Sequence, residues 1–258
     1  MESKLKQYAE KLVEAENTRI GTDPLTSVDL ELTVREAYHI QLENIQRKLE
    51  QGQKIVGKKI GLTSLAMQNL LGVDEPDYGH LLDGMVVENG GQISFEQVLQ
   101  PKVEAEIAFI LKKELRGPNL TTLDVLQATD YVVPALEIVD SRIKNWKITL
   151  ADTVADNASS GFYVLGGKPT KIEDIDLELM GMVLTKNGEQ VNTGVGAAAL
   201  GNPAKCVAWL ANKLAEFDIS LKAGEVILSG ALSAAEAAQK GDTFTARFAH
   251  IGQVSVRF

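Results

Sequence analysis

Three acidic side chains occur inside segments that otherwise have the pattern of buried strands. In residues 101–111, PKVEAEIAFIL, alternate positions form an apolar face, and Glu104 and Glu106 lie on the other face, which is itself partly apolar. Glu137 has the same setting in residues 131–140, YVVPALEIVD. Burying unpaired carboxylates is costly, so these acids need either Lys or Arg partners or a bound divalent cation. Because hard ions such as Mg²⁺ take oxygen ligands, three carboxylates from two strands suit such an ion.

The same acids are also compatible with ordinary solvation at a strand edge or at the mouth of a loop. A Glu-x-Glu pair is a weak signal by itself, and the residues alone leave metal binding and solvation both open. Zinc is disfavoured, because zinc sites use Cys and His ligands and neither Cys206 nor any of the three histidines lies near these acids in sequence.

A pair of lysines in residues 54–62, KIVGKKIGL, is the next candidate. The segment has the pattern of a strand, and alternation places Lys59 on the face of Gly57 and Gly61, where the absence of side chains leaves room for a ligand. Lys58 lies on the opposite face. Since one of two adjacent strand lysines usually faces water, the pattern favours Lys59 as the residue that faces a ligand.

Two further segments contain polar residues that could contact a substrate. Asp77 follows Pro76, a position typical of a turn, although an aspartate can also transfer protons. Asn157 and Ser160, in DNASSG, could donate hydrogen bonds to substrate oxygens, or they could simply form a helix end and a loop before Gly161.

The composition excludes several classes of function. The 258 residues are 45% hydrophobic and 24% charged, which allows a sizeable core in one large domain, with or without a small annex. The net charge is −9 and no Lys/Arg cluster forms a phosphate-binding patch, which disfavours nucleic acid. No apolar run approaches the ~18 residues of a membrane span, and the N-terminal pattern is not that of a secretory signal. The single Cys206 suits a reducing compartment, so we expect a cytoplasmic protein.

A helical N-terminal annex is predicted for residues 1–52, and a strand-rich catalytic domain for residues 53–258. Apolar residues at helical spacing predict a first helix over residues 2–17. A second helix is predicted from Thr33, which forms a capping-box pattern with Glu36.

Beyond residue 53, short apolar runs alternate with Gly, Asn and Asp and predict strands that regular helices do not separate. Hairpins are predicted at residues 85–95 and around Asn187–Gly188, and a helix over residues 203–218. The sequence contains no GxGxxG and no P-loop. This pattern argues against a doubly wound parallel sheet and favours an α+β or barrel-like fold.

Five longer stretches resemble the 2-hydroxypenta-2,4-dienoate hydratases, also called 2-keto-4-pentenoate hydratases, of the fumarylacetoacetate hydrolase superfamily. The resemblance runs from Ile40 to the end of the sequence. The stretches that carry it are GKKIGLTS (57–64), LGVDEPDYGHLLDGM (71–85), LQPKVEAEIAF (99–109), PALEIVDSRI (134–143) and DTVADNASSGFYVLGG (152–167). A sister group, the 4-oxalocrotonate decarboxylases, shares much of this pattern.

The resemblance implies a mixed, rolled β structure with a small helical N-terminal part. It implies that Glu104, Glu106 and Glu137 hold a Mg²⁺ or Mn²⁺ ion. Lys59 matches the active-site lysine of the family, and Asp77 matches its acid/base aspartate. In the decarboxylases the position of Asp77 is apolar, so the aspartate favours a hydratase.

The implied reaction adds water to 2-hydroxypenta-2,4-dienoate and gives 4-hydroxy-2-oxopentanoate, in the meta-cleavage catabolism of aromatic compounds. Ser160 is the predicted substrate-binding residue. Two alternatives are a 4-oxalocrotonate decarboxylase of the same pathway and a non-catalytic assembly partner with the same fold. The resemblance also implies a homo-oligomer and the capacity to associate with the decarboxylase.

Overall fold

The computed structural model describes residues 2–65, 68–69 and 72–258. The two N-terminal helices and the helix that begins at Pro203 lie close to where the sequence pattern predicts them. The α-helices with described bounds are α1 (Glu2–Thr18), α2 (Val34–Glu50), α3 (Thr122–Ala128), α4 (Leu150–Ala155) and α5 (Pro203–Leu214). Helix α5 stops short of the predicted end at residue 218, because a 3-10 turn (Ala215–Phe217) replaces its last part.

The start of α2 shows how local chemistry sets these bounds. The Thr33 side chain accepts a hydrogen bond from the Glu36 backbone N–H, and the Glu36 carboxylate accepts one from the Thr33 N–H. This reciprocal arrangement satisfies two backbone donors that the helix itself leaves unpaired, and it confirms the predicted capping box.

The strands form two sheets. Their bounds are β1 (Ile55–Gly61), β2 (Asp77–Leu82), β3 (Val86–Val87), β4 (Lys102–Leu111), β5 (Thr129–Val139), β6 (Ser160–Leu165), β7 (Gly181–Lys186), β8 (Glu189–Val195), β9 (Val226–Leu228), β10 (Glu236–Ala237), β11 (Thr243–Phe248) and β12 (Gly252–Arg257). The larger sheet has the order β2-β1-β9-β4-β5-β6-β3, with β10 paired to β4, and the smaller has the order β12-β11-β7-β8. Pairs β1–β9 and β3–β6 are parallel and the others are antiparallel, which confirms a mixed α+β fold.

Strands β4 and β5 lie at the centre of the larger sheet and separate two apolar layers. Ile107 and Leu136 face the main core, whereas Ala108 and its cross-strand partner Val133 belong to a second cluster on the other face. The acids alternate with the residues of the main core and therefore lie on the second face, as the alternation of PKVEAEIAFIL predicts.

The predicted hairpin at residues 85–95 is wrong. A turn does form, since the Gly91 N–H donates to the Glu88 carbonyl. Strand β3, however, pairs in parallel with β6, and Phe95–Gln97 is a 3-10 turn rather than a strand. The local sequence specifies the turn but not the distant partner strand. The hairpin predicted at Asn187–Gly188 is confirmed, because β7 pairs with β8 across that turn.

The N-terminal helices pack onto the core that the larger sheet supports. Leu12 of α1, Ile40 of α2 and Tyr78 of β2 belong to one buried cluster. The division into an annex and a catalytic domain at residue 52 stays a prediction. The sequence also predicts a short helix in LAMQNLLG (65–72), capped by Ser64 and ended by Gly72, and this segment falls partly outside the described residues. No helix among the described residues combines the length and apolarity that crossing a membrane requires.

Candidate metal centre and active site

The structure brings the three predicted acids together. Glu104 and Glu137 are direct cross-strand partners on β4 and β5, and Glu106 follows two positions along β4, opposite Ala135. One carboxylate oxygen from each of the three acids lies within 4.8 Å of the others. Glu106 and Glu137 are fully buried, and Glu104 is partly exposed, which places the opening of the cluster on its side.

Burial and repulsion from neighbouring carboxylates, including Asp77 beside Glu137, disfavour the ionised forms of these acids. They raise the pKa of Glu104 to about 7 and also raise the pKa values of Glu106 and Glu137. One Glu106 oxygen accepts a hydrogen bond of 2.7 Å from the Gly230 N–H. Glu106 Oε1 and Glu137 Oε2 are buried and have no hydrogen-bond partner among the described residues. Buried carboxylate oxygens without partners are the donor set that a hard divalent cation satisfies.

Lys59 is the cation that contacts this cluster. Its Nζ lies 3.4 Å from Glu137 Oε1 and 3.8 Å from Asp77 Oδ1, and it donates to the Ala158 carbonyl at 3.1 Å. Burial disfavours the charged ammonium, but the surrounding carboxylates outweigh burial and raise the pKa of Lys59. The lysine therefore carries a fixed positive charge at the acids.

Lys58 departs from the sequence expectation, since neither member of the lysine pair faces water. Both side chains are buried, and Lys58 points to the opposite side of β1, where its Nζ bonds both carboxylate oxygens of Glu225 at 2.7 Å. Glu225 is far away in sequence, so the alternation pattern gave no indication of this second buried ion pair.

Asp77 is the first residue of β2, directly opposite Gly61 of β1, and is 5% exposed. Its Oδ2 accepts a hydrogen bond of 2.9 Å from the Thr153 hydroxyl. Its Oδ1 is buried, lies near Lys59 and has no hydrogen-bond partner in the described part of the chain. The turn suggested by Pro76 thus ends in a buried carboxylate that faces the acid cluster.

Ser160 reaches the cluster, whereas Asn157 does not. The Ser160 hydroxyl is buried and lies 3.5 Å from Glu137 Oε1. The Asn157 side chain is bonded to the backbone of His80. Its Oδ1 accepts a hydrogen bond of 2.8 Å from the His80 N–H, and its Nδ2 donates one of 2.9 Å to the His80 carbonyl. Asn157 therefore holds the chain rather than a substrate oxygen.

His80 of β2 lies on the face opposite to Lys59, because its cross-strand partner in β1 is Lys58. His80 is buried on the Lys58 side of β2, and burial lowers its pKa to about 3. Its Nδ1 lies 3.0 Å from Gln41 Oε1, a contact that a neutral imidazole makes as a donor.

Sequence reasoning missed three groups that contact the site: the Thr153 hydroxyl, the Gly230 N–H and the Ala158 carbonyl. Thr153 and Ala158 lie inside DTVADNASSG (152–161), part of a stretch that carries the family resemblance. The sequence therefore indicates this segment as part of the site, but not that the Thr153 hydroxyl and the Ala158 carbonyl make the contacts. Gly230 comes from the loop after β9, and its φ of +98° is a conformation that favours glycine. No local pattern connects that loop to Glu106.

The fold and the site define a class of α+β proteins in which a curled mixed sheet presents a buried carboxylate cluster beside a lysine. The chain belongs to the fumarylacetoacetate hydrolase family: residues 75–258 match the family described as "Fumarylacetoacetate (FAA) hydrolase C-terminal".

Relatives within this family are similar over most of the chain. A 2-hydroxypent-2,4-dienoate hydratase of Pseudomonas putida is 49% identical over 217 residues, which are 84% of this chain and 98% of the relative. A 2-keto-4-pentenoate hydratase of Paraburkholderia xenovorans (strain LB400) is 47% identical over 252 residues, which are 98% of this chain and 94% of the relative.

A solved 4-oxalocrotonate decarboxylase from Pseudomonas putida G7 is also similar. Its complex with calcium and acetate superposes with a TM-score of 0.96 at 40% identity, covering 100% of this chain and 98% of the other. Its complex with magnesium and adipate gives 0.94 at 41% identity, covering 98% and 97%.

Proposed function

We propose that this protein is a divalent-metal-dependent hydratase that adds water to 2-hydroxypenta-2,4-dienoate and releases 4-hydroxy-2-oxopentanoate, a step of meta-cleavage catabolism. The observation that carries the proposal is the buried Asp77 carboxylate, whose Oδ1 faces Lys59 and the three glutamates. An acid/base group at this position is what hydration requires, and the similarity to known hydratases supports the same reaction.

Glu104, Glu106 and Glu137 are the residues that would hold the ion. Their convergence, their raised pKa values and the partnerless oxygens of two of them support this assignment. Mg²⁺ is the first candidate and Mn²⁺ the second, since both prefer oxygen ligands and one of the similar solved structures is a complex with magnesium. When bound, the ion supplies Lewis-acid polarisation of a 2-oxo acid.

We assign the proton transfers of the reaction to Asp77 Oδ1. The dienol loses the proton of its 2-hydroxyl and gains one at C5, which gives the 2-oxo-3-enoate. The oxygen of water then bonds to C4, C3 gains a proton, and the water gives up one proton, so that the sum is the addition of one water molecule. Each transfer requires an acid or base held at a fixed atom. The buried Oδ1, which has no hydrogen-bond partner among the described residues, supports its assignment to this role.

Lys59 and Ser160 stabilise and orient the substrate. The buried Lys59 ammonium, 3.4 Å from Glu137 Oε1, would stabilise the negative charge that develops on the substrate's enolate or carboxylate. The Ser160 hydroxyl, 3.5 Å from Glu137, has only a long contact there and can donate to a substrate oxygen instead.

The test follows loss of the conjugated dienol chromophore, with Mg²⁺ or Mn²⁺ present, together with release of carbon dioxide. We expect decay of the chromophore without carbon dioxide. We also expect Asp77→Asn to lower turnover by about 10²–10⁴-fold, the usual contribution of a positioned acid/base, without changing Mn²⁺ affinity. An unchanged turnover in Asp77→Asn contradicts the acid/base role.

A 4-oxalocrotonate decarboxylase is the second candidate function, because the solved decarboxylase covers the whole chain with a TM-score of 0.96. The same assay separates the two reactions. Carbon dioxide released from 4-oxalocrotonate, with no decay of the dienol, favours the decarboxylase and rejects the hydratase. Absence of both reactions in the metal-loaded protein favours a non-catalytic assembly partner.

We further propose that the protein is a cytoplasmic homo-oligomer able to associate with a decarboxylase of the same pathway. The family resemblance and the single cysteine support this proposal. Sedimentation of the purified protein, alone and mixed with a 4-oxalocrotonate decarboxylase, tests both associations. A monomeric mass in both samples contradicts them.

A further inference from the structure

We propose that Thr153 is the positioning residue of Asp77: its hydroxyl occupies Oδ2 and leaves Oδ1 as the one oxygen that exchanges protons with the substrate. This inference rests on the proposed function, because it assigns a task within the same reaction. It distinguishes the two oxygens of a carboxylate that would otherwise be equivalent.

The contacts of Thr153 determine which neighbour receives the proton of its hydroxyl. The side chain is 2% exposed, its Oγ1 donates to Asp77 Oδ2 at 2.9 Å, and the Ser159 Oγ lies 3.5 Å away. A hydroxyl has one proton, so Thr153 gives its proton to Asp77 and can only accept from Ser159. The β-branched side chain of threonine has few rotamers, which fixes this geometry.

Asp77 Oδ1 has the opposite surroundings. It lies 3.8 Å from Lys59 Nζ, beyond hydrogen-bond distance, and has no hydrogen-bond partner among the residues described. A Cβ added to Gly61 would lie 2.3 Å from this oxygen. The glycine therefore keeps clear the space in front of Oδ1, while Thr153 closes off Oδ2.

A second link, independent of the hydroxyl, connects the segments that contain Thr153 and Asp77. The Gln41 side chain is fully buried, and its Nε2 donates to the carbonyls of Tyr78 at 3.0 Å and Val154 at 2.6 Å. These two residues directly follow Asp77 and Thr153 in sequence. One amide thus links β2 to α4 next to the hydrogen bond, so removing the hydroxyl should leave the two elements in place.

The experiment compares Thr153→Val, which keeps the shape and removes the hydroxyl, with Thr153→Ser, which keeps the hydroxyl. The matched control is Thr129→Val, because the buried Thr129 hydroxyl donates to the Val125 carbonyl outside the site. Each Mg²⁺-loaded protein is assayed for kcat and KM with the dienol, for Mn²⁺ affinity and for thermal unfolding.

We expect Thr153→Val to lower kcat by about tenfold to a hundredfold, the effect of losing a hydrogen bond to a charged group. KM and Mn²⁺ affinity should stay at the wild-type values, and Thr153→Ser should recover most of kcat. Thr129→Val should keep the wild-type kcat. If Thr153→Val does not fold, Thr153→Ala removes the same hydroxyl without adding bulk and repeats the test.

Different results would overturn different claims. A wild-type protein without hydratase activity rejects the proposed function itself. An active wild type together with a Thr153→Val variant of unchanged kcat rejects only the role of Thr153. Loss of Mn²⁺ affinity in Thr153→Val, or failure of Thr153→Ser to recover kcat, shows a structural role for the side chain and also overturns the inference.

Discussion

Lys58 and Lys59 are neighbours in β1, yet carboxylates on opposite sides of the sheet neutralise them. Among the described residues, Lys58 forms its ion pair with Glu225, through two bonds of 2.7 Å. Lys59 lies between Glu137 and Asp77 and makes only longer contacts with them, at 3.4 and 3.8 Å. The first arrangement is a satisfied structural ion pair. The second leaves carboxylate oxygens unpaired, as expected of a site that binds another charged group.

The two lysines should therefore respond differently to the same substitution. We expect Lys59→Met to lower turnover by at least about a hundredfold, since a preorganised charge at the reacting atoms is lost. Lys58→Met should keep kcat but lose roughly 3–5 kcal/mol of stability, because it leaves the buried Glu225 carboxylate without its cationic partner. Turnover and denaturant unfolding of both variants measure these effects.

The double variant Lys58→Met/Glu225→Gln provides the control, because it removes both charges of the structural pair and should recover much of the lost stability. Equal losses of turnover in Lys58→Met and Lys59→Met would contradict the separation of the two faces.

Glu106 is the acid whose removal should affect the ion most directly. It is fully buried, one of its oxygens is fixed by the Gly230 N–H, and the other has no partner in the described residues. We expect Glu106→Gln, which keeps the shape, to abolish metal-dependent turnover and to weaken Mn²⁺ binding in a titration. The exposed Glu189→Gln is the control. Full activity of Glu106→Gln after chelation would remove Glu106 from the ligand set.

At the scale of elements, an unusual turn connects α4 to β6. Asn157, Ala158 and Ser159 have successive φ values of 53°, 50° and 54°, a conformation that costs non-glycine residues roughly 1–2 kcal/mol each. The two bonds between Asn157 and the His80 backbone hold this turn in place. The turn directs the Ala158 carbonyl toward Lys59 and Ser160 toward Glu137. The strained backbone therefore positions two groups that contact the site.

The side-chain arrangement of the site depends on a glycine in β1. Gly61 faces Asp77 across the strands, and an added Cβ would lie 2.3 Å from Asp77 Oδ1 and 2.9 Å from Lys59 Nζ. We expect Gly61→Ala to displace these side chains and to lower kcat strongly, with a smaller loss of stability. Gly181→Ala in β7 is the matched control, since its Cβ would meet nothing within 4 Å. A Gly61→Ala variant with wild-type kcat would contradict this geometry.

The sequence predicted those parts of the site that depend on local periodicity. Alternation alone placed Glu104 and Glu106 on one strand face, because the period of a strand is two residues. It could not specify that Glu137 lies opposite Glu104, since a register slip of one residue would turn Glu137 to the other face. The grouping of Glu137 with Glu104 and Glu106 as ligands of one ion came from the resemblance to a known family.

The contacts that the sequence did not predict depend on tertiary structure. Thr153 meets Asp77 only because α4 packs against β2, and Lys58 is buried only because Glu225 approaches from the end of a distant loop. The prediction of a hairpin at residues 85–95 was wrong for the same reason: β3 pairs with the distant strand β6. Short segments specify turns and helix caps, but not which distant segments they contact.

For the molecule as a whole, folding gathers four carboxylates around one lysine. Asp77 and the three glutamates face Lys59, and burial with mutual repulsion raises the pKa values of the glutamates. A raised pKa means that the folded protein binds protons that the unfolded chain has released. The metal-free protein should therefore lose stability from these groups as the pH rises from the ordinary value of 4.5 through about 7.

A divalent ion should remove this penalty, because it binds the ionised carboxylates. We expect the Mg²⁺-induced rise in Tm to be small at about pH 5.5 and larger at about pH 8, since fewer protons must be displaced at the higher pH. Thermal unfolding with and without Mg²⁺, at matched ionic strength, measures the difference. A Mg²⁺ effect that does not change with pH, or that shrinks as the pH rises, would contradict the assignment.

The most direct test of the site is a crystal structure of the protein soaked with Mn²⁺ and oxalate, an analogue of the 2-oxo acid group. We expect an anomalous peak between the carboxylates of Glu104, Glu106 and Glu137, with oxalate oxygens completing the coordination and Asp77 Oδ1 facing the ligand. A peak elsewhere, or a structure in which the three acids point apart or pair only with cationic side chains, would contradict the account.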